Sequence, residues 1–420
     1  MRTTEEHLAA ALALVGPLPE VEVALDDALG CVLTRSLVAP DPLPRWDSSS
    51  MDGYAIRAAD TVGASAETPR ALTVVADLAA GAEDDPVVAP GTAARIMTGA
   101  PLPREADAVV PVESTDAGVD VVRVHATATA GDFIRRAGED TRAGDVVLAA
   151  GTQLNAQQIG AAAAIGAGRV HVRPRPRVAV VSTGSELVAT GAPLRRGQVP
   201  DSNAHLLAAA VREAGGVPTR HAAVADDPTT FREVVAGLRG QVDVVVTSGG
   251  VSMGAFDVVK EVLRDEPGME FVTVAMQPGK PQGLGTLDDG TPVFCLPGNP
   301  VSAFVSFEVF VRPAILKMRG FASVRRPRLT AVVVDGWRSP AGRAQYMPVV
   351  LGRADDARAD DGWFAPAWFG DGWTVHRVVR GGSGSHLVAS LGGAQALAVV
   401  PADVVEVVPG DTVPVMLVNR

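Results

Sequence analysis

Residues 177–186 read RVAVVSTGSE, an apolar run that ends in small polar residues and a glutamate. A continuous apolar run of this length is typical of a strand buried on both faces of a parallel sheet. Residues 242–250 read VDVVVTSGG, which repeats the pattern and ends in two glycines. The two stretches predict a parallel sheet whose strands end in polar, glycine-containing loops.

Helix signals lie between the predicted strands. Asp201-Ser202-Asn203 offers capping residues for a helix through Glu213, and Asp227-Pro228 precedes a second predicted helix over 229–239. Three further strands are predicted over 218–226, 270–276 and 293–296, with helices over 256–264 and, after Asn299-Pro300, over 301–318. Strands that alternate with helices predict an α/β domain with helices on both faces of the sheet.

The flanking segments have a different pattern. Residues 5–15 and 152–168 predict helices and residues 21–40 a strand-turn-strand unit, whereas 54–135 and 326–420 consist of short runs broken by Gly and Pro, as in β-rich domains. We therefore expect a multidomain α/β plus β protein, with a central parallel α/β domain between β-rich domains and a β-barrel-like C-terminal domain. The expected domains are I (1–45 and 141–176, a linker and helical domain), II (46–140, β-rich), III (177–325, α/β) and IV (326–420, β).

Composition excludes several classes of protein. Hydrophobic residues make up 47% of the 420 residues, which argues for folded cores. The net charge of −11 argues against nucleic-acid binding. The N-terminal ten residues lack the apolar core of a secretory signal, and no run of 18 uncharged apolar residues occurs. Cys31 and Cys295 are the only cysteines and cannot form a disulfide framework or a zinc site. We expect a cytoplasmic protein with no membrane partner.

Polar residues follow every predicted strand of the α/β domain, at the edge where open parallel sheets bind ligands. We therefore expect the binding site at the carboxyl ends of these strands. Its candidate residues are Thr183, Gly184, Ser185, Glu186, Asp226, Ser248, Gly249, Gly250, Ser252, Asp257, Lys280, Pro297, Gly298 and Asn299.

These residue types indicate the chemistry of the site. Gly249-Gly250 lets backbone N–H groups approach an anion, and Lys280 between two prolines suits a phosphate or oxyanion. Glu186, Asp226 and Asp257 repel one another at one rim, which favours a bound divalent cation, and Mg²⁺ takes one or two carboxylates plus substrate phosphates. We therefore predict an α/β enzyme that acts on a phosphorylated small molecule with Mg²⁺. Simpler roles stay open: a helix cap for Asp226, a plain turn for the glycines, a solvated loop acid for Glu186 and an ordinary surface residue for Lys280.

An ordered set of motifs resembles the molybdopterin molybdenumtransferase family, the MoeA type that includes the E domain of gephyrin. The motifs run through the chain in the family's order. They are PRWDSSSMDGYA (44–55), RIMTGAP (95–101), ADAVV (106–110), IRRAGED (134–140), TGSEL (183–187), QVPDSN (198–203), Asp226-Asp227, SGGVSMG (248–254), PGKP (278–281), LPGNPVS (296–302) and GSGS (382–385).

The resemblance implies a reaction and an assembly. Adenylylated molybdopterin and molybdate would bind, AMP would leave with the help of Mg²⁺, and molybdenum would join the dithiolene. The family's functional acids correspond to Asp52, Asp140, Glu186, Asp226 and Asp257, of which Glu186, Asp226 and Asp257 are the expected metal ligands. The resemblance also implies a homodimer of four-domain subunits, each active site taking Asp52 from the partner subunit, and it makes the molybdopterin adenylyltransferase a candidate partner protein.

Two departures and two alternatives accompany the resemblance. Family members often have an acid where this chain has Ala255 and a lysine where it has Gln277, which bears on the metal geometry and on one anion contact. The alternatives are the adenylyltransferase, whose MogA-like fold resembles 177–325 alone, and a non-catalytic dimeric scaffold. The segment Ser50–Tyr54 and the C-terminal β domain argue against the first alternative, and the retained acids argue against the second. The sequence does not separate molybdenum from tungsten as the metal delivered, nor magnesium-binding from molybdate-binding acids.

Overall fold

The computed structural model describes residues 1–251, 257–353, 372–378 and 384–418. The chain divides into two compact units. The first unit comprises Met1–Val21, Gly30–Val32 and Val172–Arg420, and the second comprises Glu22–Leu29 and Leu33–His171. The four-domain division expected from the sequence is a finer one than these two units, and it stays a prediction.

Two of the helices begin directly after aspartates that the sequence marks as caps. In chain order the helices are α1 (Thr4–Ala13), α2 (Ala156–Ala164), α3 (Ser202–Glu213), α4 (Pro228–Leu238), α5 (Val258–Leu263), α6 (Pro300–Ser306), α7 (Arg312–Met318) and α8 (Val388–Leu391). The Asp201 side chain accepts from the Ala204 N–H at the start of α3, and Asp227 caps α4 in the same way through Thr230. Both predicted caps are confirmed. The helix predicted over 301–318 is interrupted by a π-helical segment, Phe307–Val311, between α6 and α7.

The second unit is built on a five-stranded sheet. The strands up to residue 173 are β1 (Val21–Ala24), β2 (Val32–Leu33), β3 (Leu37–Val38), β4 (Ser48–Ser49), β5 (Gly53–Ile56), β6 (Arg70–Leu78), β7 (Thr92–Ile96), β8 (Ala108–Pro111), β9 (Val121–Val124), β10 (Ile134–Arg135), β11 (Val146–Leu148) and β12 (Arg169–Arg173). The sheet has the order β8-β5-β7-β6-β9, and only β6 and β7 are parallel neighbours. Side chains alternate across it, so that Tyr54 packs in one apolar cluster and Ala55 in the other. The predicted β-rich segment is confirmed.

The first unit holds the remaining strands. They are β13 (Arg177–Ser182), β14 (Leu187–Val188), β15 (Val199–Pro200), β16 (Val217–Arg220), β17 (Val244–Ser248), β18 (Glu270–Thr273), β19 (Met276–Gln277), β20 (Pro281–Thr286), β21 (Pro292–Leu296), β22 (Arg328–Val333), β23 (Trp337–Arg338), β24 (Ala344–Arg353), β25 (Trp373–Arg377), β26 (Ala396–Val400), β27 (Glu406–Val407) and β28 (Thr412–Leu417).

The central sheet of the first unit has the order β16-β13-β17-β21-β20-β18. Its first four strands are parallel neighbours, as predicted, and β20 runs antiparallel to both β21 and β18. β18 therefore points in the same direction as the four parallel strands. Both faces are buried: Val178 and Val180 of β13 pack on one side, and Ala179 and Val181 on the other. The sheet is therefore mixed and not purely parallel as expected, because β20, for which no strand was predicted, runs antiparallel to its neighbours.

The C-terminal strands form a closed barrel. β24, β25, β22, β28 and β26 pair in that order, and β26 also pairs with β24, so the ring has no free edge. Closure satisfies the backbone groups that an open sheet would leave unpaired. Its interior is apolar and includes Val333, Val349, Val375 and Val415. The expected barrel-like domain is confirmed as a five-stranded barrel. Within the described residues, no helix combines the length and apolar character needed to cross a lipid bilayer.

Candidate functional site

A cavity of about 530 Å³ lies at the carboxyl ends of β13, β17 and β21 in the first unit. This is the edge at which the sequence predicts a binding site. Its walls are the loops after the three strands and the starts of α3, α5 and α6. It is lined by Thr183, Gly184, Glu186, Leu187, Val199, Pro200, Asp201, Ser202, Asn203, Asp226, Ser248, Gly249, Gly250, Val251, Asp257, Pro281, Pro297, Gly298, Asn299, Pro300 and Ser302.

The floor of the cavity continues the hydrogen bonding of the sheet. The Thr183 N–H donates to the Ser248 carbonyl (2.9 Å), and the Gly249 N–H donates to the Leu296 carbonyl (3.1 Å). Gly249 has a φ of +101°, and a Cβ there would lie 2.5 Å from the carbonyl oxygen of Thr183. A Cβ on Gly250, with φ +64°, would lie 2.5 Å from a methyl group of Val259. Glycine is therefore required at both positions by backbone conformation and by space.

A buried polar network ties the cavity walls together. The Asn203 side-chain amide donates to the Ser248 hydroxyl (2.7 Å) and to the Gly298 carbonyl (2.6 Å). Asp201, which caps α3, also accepts a hydrogen bond from the Ser182 hydroxyl (3.0 Å). From the local sequence, Asp201 and Asn203 were predicted only to start a helix. The QVPDSN motif was the available signal that they also face the site.

The predicted first-unit acids, Glu186, Asp226 and Asp257, all line the cavity. The loops that carry Ser185 and Asp226 are joined reciprocally: the Ser185 N–H donates to the Asp226 carboxylate (2.9 Å), and the Asp226 N–H donates to the Ser185 hydroxyl (3.0 Å). Glu186 is exposed and follows directly. Asp226 therefore lines the cavity and is not the residue that caps α4, a role that belongs to Asp227.

Asp257 is the most enclosed of the three acids, with its side chain 11% exposed. Burial raises the pKa of its carboxyl, nearby Lys260 lowers it, and the charge of Asp226 raises it further. One carboxylate oxygen, Oδ2, is buried without a hydrogen-bond partner, and the Lys260 ammonium lies 3.6 Å from it. No group of three or more His, Cys, Asp or Glu residues is arranged to hold a metal ion in the described part of the chain. The expected ligand set of Glu186, Asp226 and Asp257 is thus not preassembled.

The α6 end of the cavity also contacts the segment before α8. Asn299 precedes α6 without a side-chain bond to the helix; its amide donates instead to the Ser385 hydroxyl (3.0 Å). The Val301 N–H donates to the Ser385 carbonyl (3.0 Å). Pro297 and Gly298 complete this wall. Ser385 belongs to the GSGS motif, so the motif's last residue lies beside the cavity.

Lys280 lies next to the cavity, and its side chain is exposed. Pro281 lines the wall, whereas Lys280 itself is not among the lining residues. The Lys280 carbonyl accepts from the Val274 N–H (2.8 Å), which closes the turn between β18 and β20. On the same turn, Gln277 accepts a hydrogen bond from the Arg343 guanidinium (3.3 Å).

Asp52 and Asp140 belong to the second unit. The Asp52 carboxylate accepts from the N–H (2.7 Å) and the hydroxyl (2.8 Å) of Thr98, and the N–H bond is the main cause that holds the Asp52 pKa below its usual value. Asp140 is exposed, and its N–H donates to the Leu43 carbonyl (3.0 Å).

Most of the predicted first-unit residues are brought together, since they line the cavity. The exceptions within the described residues are Ser185, whose N–H donates to the Asp226 carboxylate, and Lys280. Ser252 and Ala255 lie outside the described residues, as do Gly382 and Ser383. No contact tests the binding role predicted for each residue, so these roles stay predictions.

Three family models match successive segments of the chain. A family model described as the MoeA N-terminal region (domain I and II) matches residues 2–166. A model described as a probable molybdopterin binding domain matches 179–317, and one described as the MoeA C-terminal region (domain IV) matches 363–418.

Two relatives from Mycobacterium tuberculosis match over nearly their full length. Molybdopterin molybdenumtransferase 2 of Mycobacterium tuberculosis (strain ATCC 25618 / H37Rv) is 43% identical over 416 residues, 98% of each chain. Molybdopterin molybdenumtransferase 1 of the same strain is 39% identical over 434 residues, 99% of this chain and 98% of the relative. A crystal structure of the molybdopterin biosynthesis MoeA protein of Pyrococcus horikoshii has a TM-score of 0.78 at 30% identity and covers 99% of this chain and 98% of its own. The chain therefore belongs to the MoeA family of molybdopterin molybdenumtransferases.

Proposed function

We propose that the chain binds adenylylated molybdopterin at the cavity of the first unit and transfers molybdenum from molybdate to its dithiolene, with release of AMP. The main support for this proposal is the cavity itself. It places a two-glycine turn, the start of α6 and two neighbouring carboxylates, Asp226 and Asp257, around one space. A substrate with a pyrophosphate bond and a ring system needs both close backbone approach and control of charge.

Each residue in or beside the cavity has a proposed role that follows from its chemistry. Gly249 and Gly250 carry no side chains, so the pyrophosphate can approach the backbone closely. Lys280 adds a positive charge at the rim, where its flexible side chain reaches toward the phosphates. Thr183 and Asn203 each have a buried side-chain oxygen without a hydrogen-bond partner, Oγ1 and Oδ1, on the cavity wall. Ser185 orients Asp226, and Ser248 is held by Asn203.

We propose Mg²⁺ as the metal, with Asp226, Asp257 and Glu186 as its protein ligands. The Asp257 oxygen Oδ2, which has an ion pair with Lys260 but no hydrogen bond, and the nearby negative charge of Asp226 fit a divalent cation. Mg²⁺ usually takes one or two carboxylates and completes its shell with substrate phosphates, so the three acids need not all bind it at once. When bound, Mg²⁺ would neutralise negative charge on the pyrophosphate. Molybdate is the second substrate.

Asp52 and Asp140, the homodimer, the four-domain division and the adenylyltransferase partner enter the proposal from the family resemblance. Asp52 is suited to a fixed role as an acceptor or ligand, because its bonds to Thr98 hold its orientation and stabilise its ionised form. Asp140 has no comparable side-chain bond among the described contacts, so its proposed role depends on the motif alone.

One assay tests the function. Purified protein is incubated with adenylylated molybdopterin and Mg²⁺, with and without molybdate, and AMP is quantified. We expect AMP release that rises with molybdate and the appearance of molybdenum in the pterin fraction. AMP release from neither mixture contradicts the proposal and supports a scaffold. A second incubation contains ATP and molybdopterin. Formation of adenylylated product there would instead identify an adenylyltransferase.

A further inference from the structure

Gln282 is a polar residue on a face of the central sheet that is otherwise packed with apolar side chains. It lies on β20, two residues before Leu284, which packs in the large apolar cluster of the first unit. Only 1% of Gln282 is exposed. Burial of an amide is unfavourable unless its hydrogen bonds are made, so the side chain requires a specific role at this position.

The Gln282 amide donates one hydrogen bond to the turn that carries Lys280 and another to α6. The amide nitrogen donates to the Gly279 carbonyl (2.7 Å) and to the Ser306 hydroxyl (2.6 Å). Gly279 has a φ of +101°, and a Cβ there would lie 2.8 Å from the Ser306 oxygen. The turn is therefore packed directly against Ser306, and Gln282 holds it there.

Ser306 joins this turn to the cavity. It is fully buried and is the last residue of α6, whose first residues line the cavity wall. The Gln282 amide thus connects the residue before Lys280 with the helix that begins at the site. The backbone bond from Val274 to Lys280 is the second restraint on the turn.

We infer that Gln282 is a positioning residue: by bonding the Gly279 carbonyl and the Ser306 hydroxyl, it fixes the turn that presents Lys280 to the anionic substrate. The inference rests on the proposed function of Lys280. Gln282 touches no substrate, and its effect on binding passes through Lys280.

The test compares Gln282→Met, which keeps the length of the side chain and removes its donors, with the parent enzyme. Dissociation of adenylylated molybdopterin is measured without molybdate, and kcat and KM are measured with it. We expect a dissociation constant and a KM about fivefold higher, the effect of one ordinary hydrogen bond, with kcat changed less than about twofold. A lower kcat with an unchanged KM, as a smaller folded fraction would produce, contradicts the inference.

A double-mutant cycle with Lys280→Ala gives the decisive comparison. If Gln282 acts through Lys280, Gln282→Met has no further effect on binding in the Lys280→Ala protein. If the fivefold loss persists there, Gln282 is not a positioning residue for Lys280, although the role of Lys280 stands. If Lys280→Ala alone leaves binding unchanged, the proposed role of Lys280 is wrong and the inference fails with it.

Two further variants complete the design. Gln282→Leu also removes both donors and leaves an apolar side chain, so it should weaken binding through Lys280 in the same way, and it replaces Gln282→Met in the test if that variant does not fold. Gln395→Met is the matched control, because the Gln395 side chain bonds the Leu351 N–H (2.8 Å) in the barrel. Its dissociation constant should equal that of the parent, and an equal rise in both glutamine variants contradicts the inference.

Discussion

Glu186 and Lys280 are exposed charged residues with opposite charge at the ligand-binding edge of the sheet, and their surroundings differ. Glu186 lines the cavity, whereas Lys280 lies beside it, next to Pro281. Exposed charges contribute little to stability. A substitution at either position therefore reports on the ligand far more than on the fold.

For Lys280→Ala we expect weaker substrate binding with little change in the chemical step, because a lysine facing a phosphate acts as a point charge. A lost charge-assisted hydrogen bond corresponds to roughly 1.5–3 kcal/mol, or about a 10- to 150-fold higher dissociation constant. Titration with adenylylated molybdopterin measures it. An unchanged dissociation constant would remove Lys280 from the site.

For Glu186→Gln we expect a higher Mg²⁺ requirement and an intact fold. The substitution keeps the shape of the side chain and removes one negative charge from the rim. Activity is measured against Mg²⁺ concentration, and thermal unfolding serves as the control for folding. A Mg²⁺ dependence equal to that of the parent would show that Glu186 is a solvated loop acid.

For single residues, a local role could be predicted from the sequence, whereas a role that depends on a distant partner could not. Asp201 and Asp227 were predicted as caps because a cap acts on the next few residues. The bonds from Asn203 to Ser248 and Gly298 join residues up to 95 positions apart, and no local pattern encodes them. Asp257 lines the cavity, and its burial there depends on packing that no local pattern encodes.

Among the elements, β20 shows how packing overrides local propensity. Its sequence, PQGLGT, contains a proline and two glycines, which are disfavoured in strands, and no strand was predicted there. The glycines have a packing reason. A Cβ on Gly283 would lie 2.8 Å from the Cys295 Cβ and from the Phe271 ring, and one on Gly285 would lie 2.5 Å from the Met269 sulfur. The strand fits between its neighbours because these positions have no side chain.

Gly283→Ala should therefore destabilise the protein by about 1–3 kcal/mol, the usual effect of forcing a methyl group into a packed core. Urea unfolding measures the change. Gly237→Ala is the matched control: it lies in α4 with nothing within 4 Å of the added carbon, so it should be neutral or stabilise by up to about 1 kcal/mol. Equal stability of Gly283→Ala and the parent would show that β20 does not require glycine there.

The long elements were predictable for a physical reason. β13 and β17 are continuous apolar runs, and α3 and α4 have caps, so several independent signals agree for each. The π-helical segment Phe307–Val311 has no such signal. Its buried Glu308 is paired with Arg326 (2.8 Å), a contact that only the folded chain creates.

At the scale of the whole first unit, α1 shows how the N-terminus is anchored. The Arg2 N–H donates to the Thr273 carbonyl (2.9 Å), and its guanidinium pairs with Glu270 (2.8 Å). His7 is 1% exposed and packs edge-on against Phe310, with ring centroids 4.6 Å apart. Burial lowers the His7 pKa from 6.5 to about 4, Arg2 adds to this, and Glu270 opposes it.

Acid should weaken this anchoring. The unfolded chain takes up a proton at His7 near pH 6.5 and the folded chain only near pH 4, so stability falls as the pH decreases between these values. His7→Leu removes this contribution. Relative to the parent, the variant should gain about 2 kcal/mol between about pH 7.5 and about pH 5, measured by urea unfolding at both. A difference that is independent of pH contradicts the prediction.

The largest-scale prediction concerns two chains. The family resemblance implies a homodimer in which each active site takes Asp52 from the partner subunit. Asp52 lies in the second unit and Glu186 in the first, so Asp52→Ala and Glu186→Ala damage different units of the chain. Each homodimer should be nearly inactive, because each of its sites carries one damaged residue.

Mixed dimers separate the two arrangements. A dimer of one Asp52→Ala chain and one Glu186→Ala chain has one intact and one doubly damaged site if Asp52 acts on the partner. Random reassociation of equal amounts gives such dimers in about half of the population, so activity should recover to about a quarter of wild type. Wild-type chains taken through the same dissociation and reassociation are the control. If they recover while the mixture stays inactive, Asp52 acts within its own chain or has no role in the reaction.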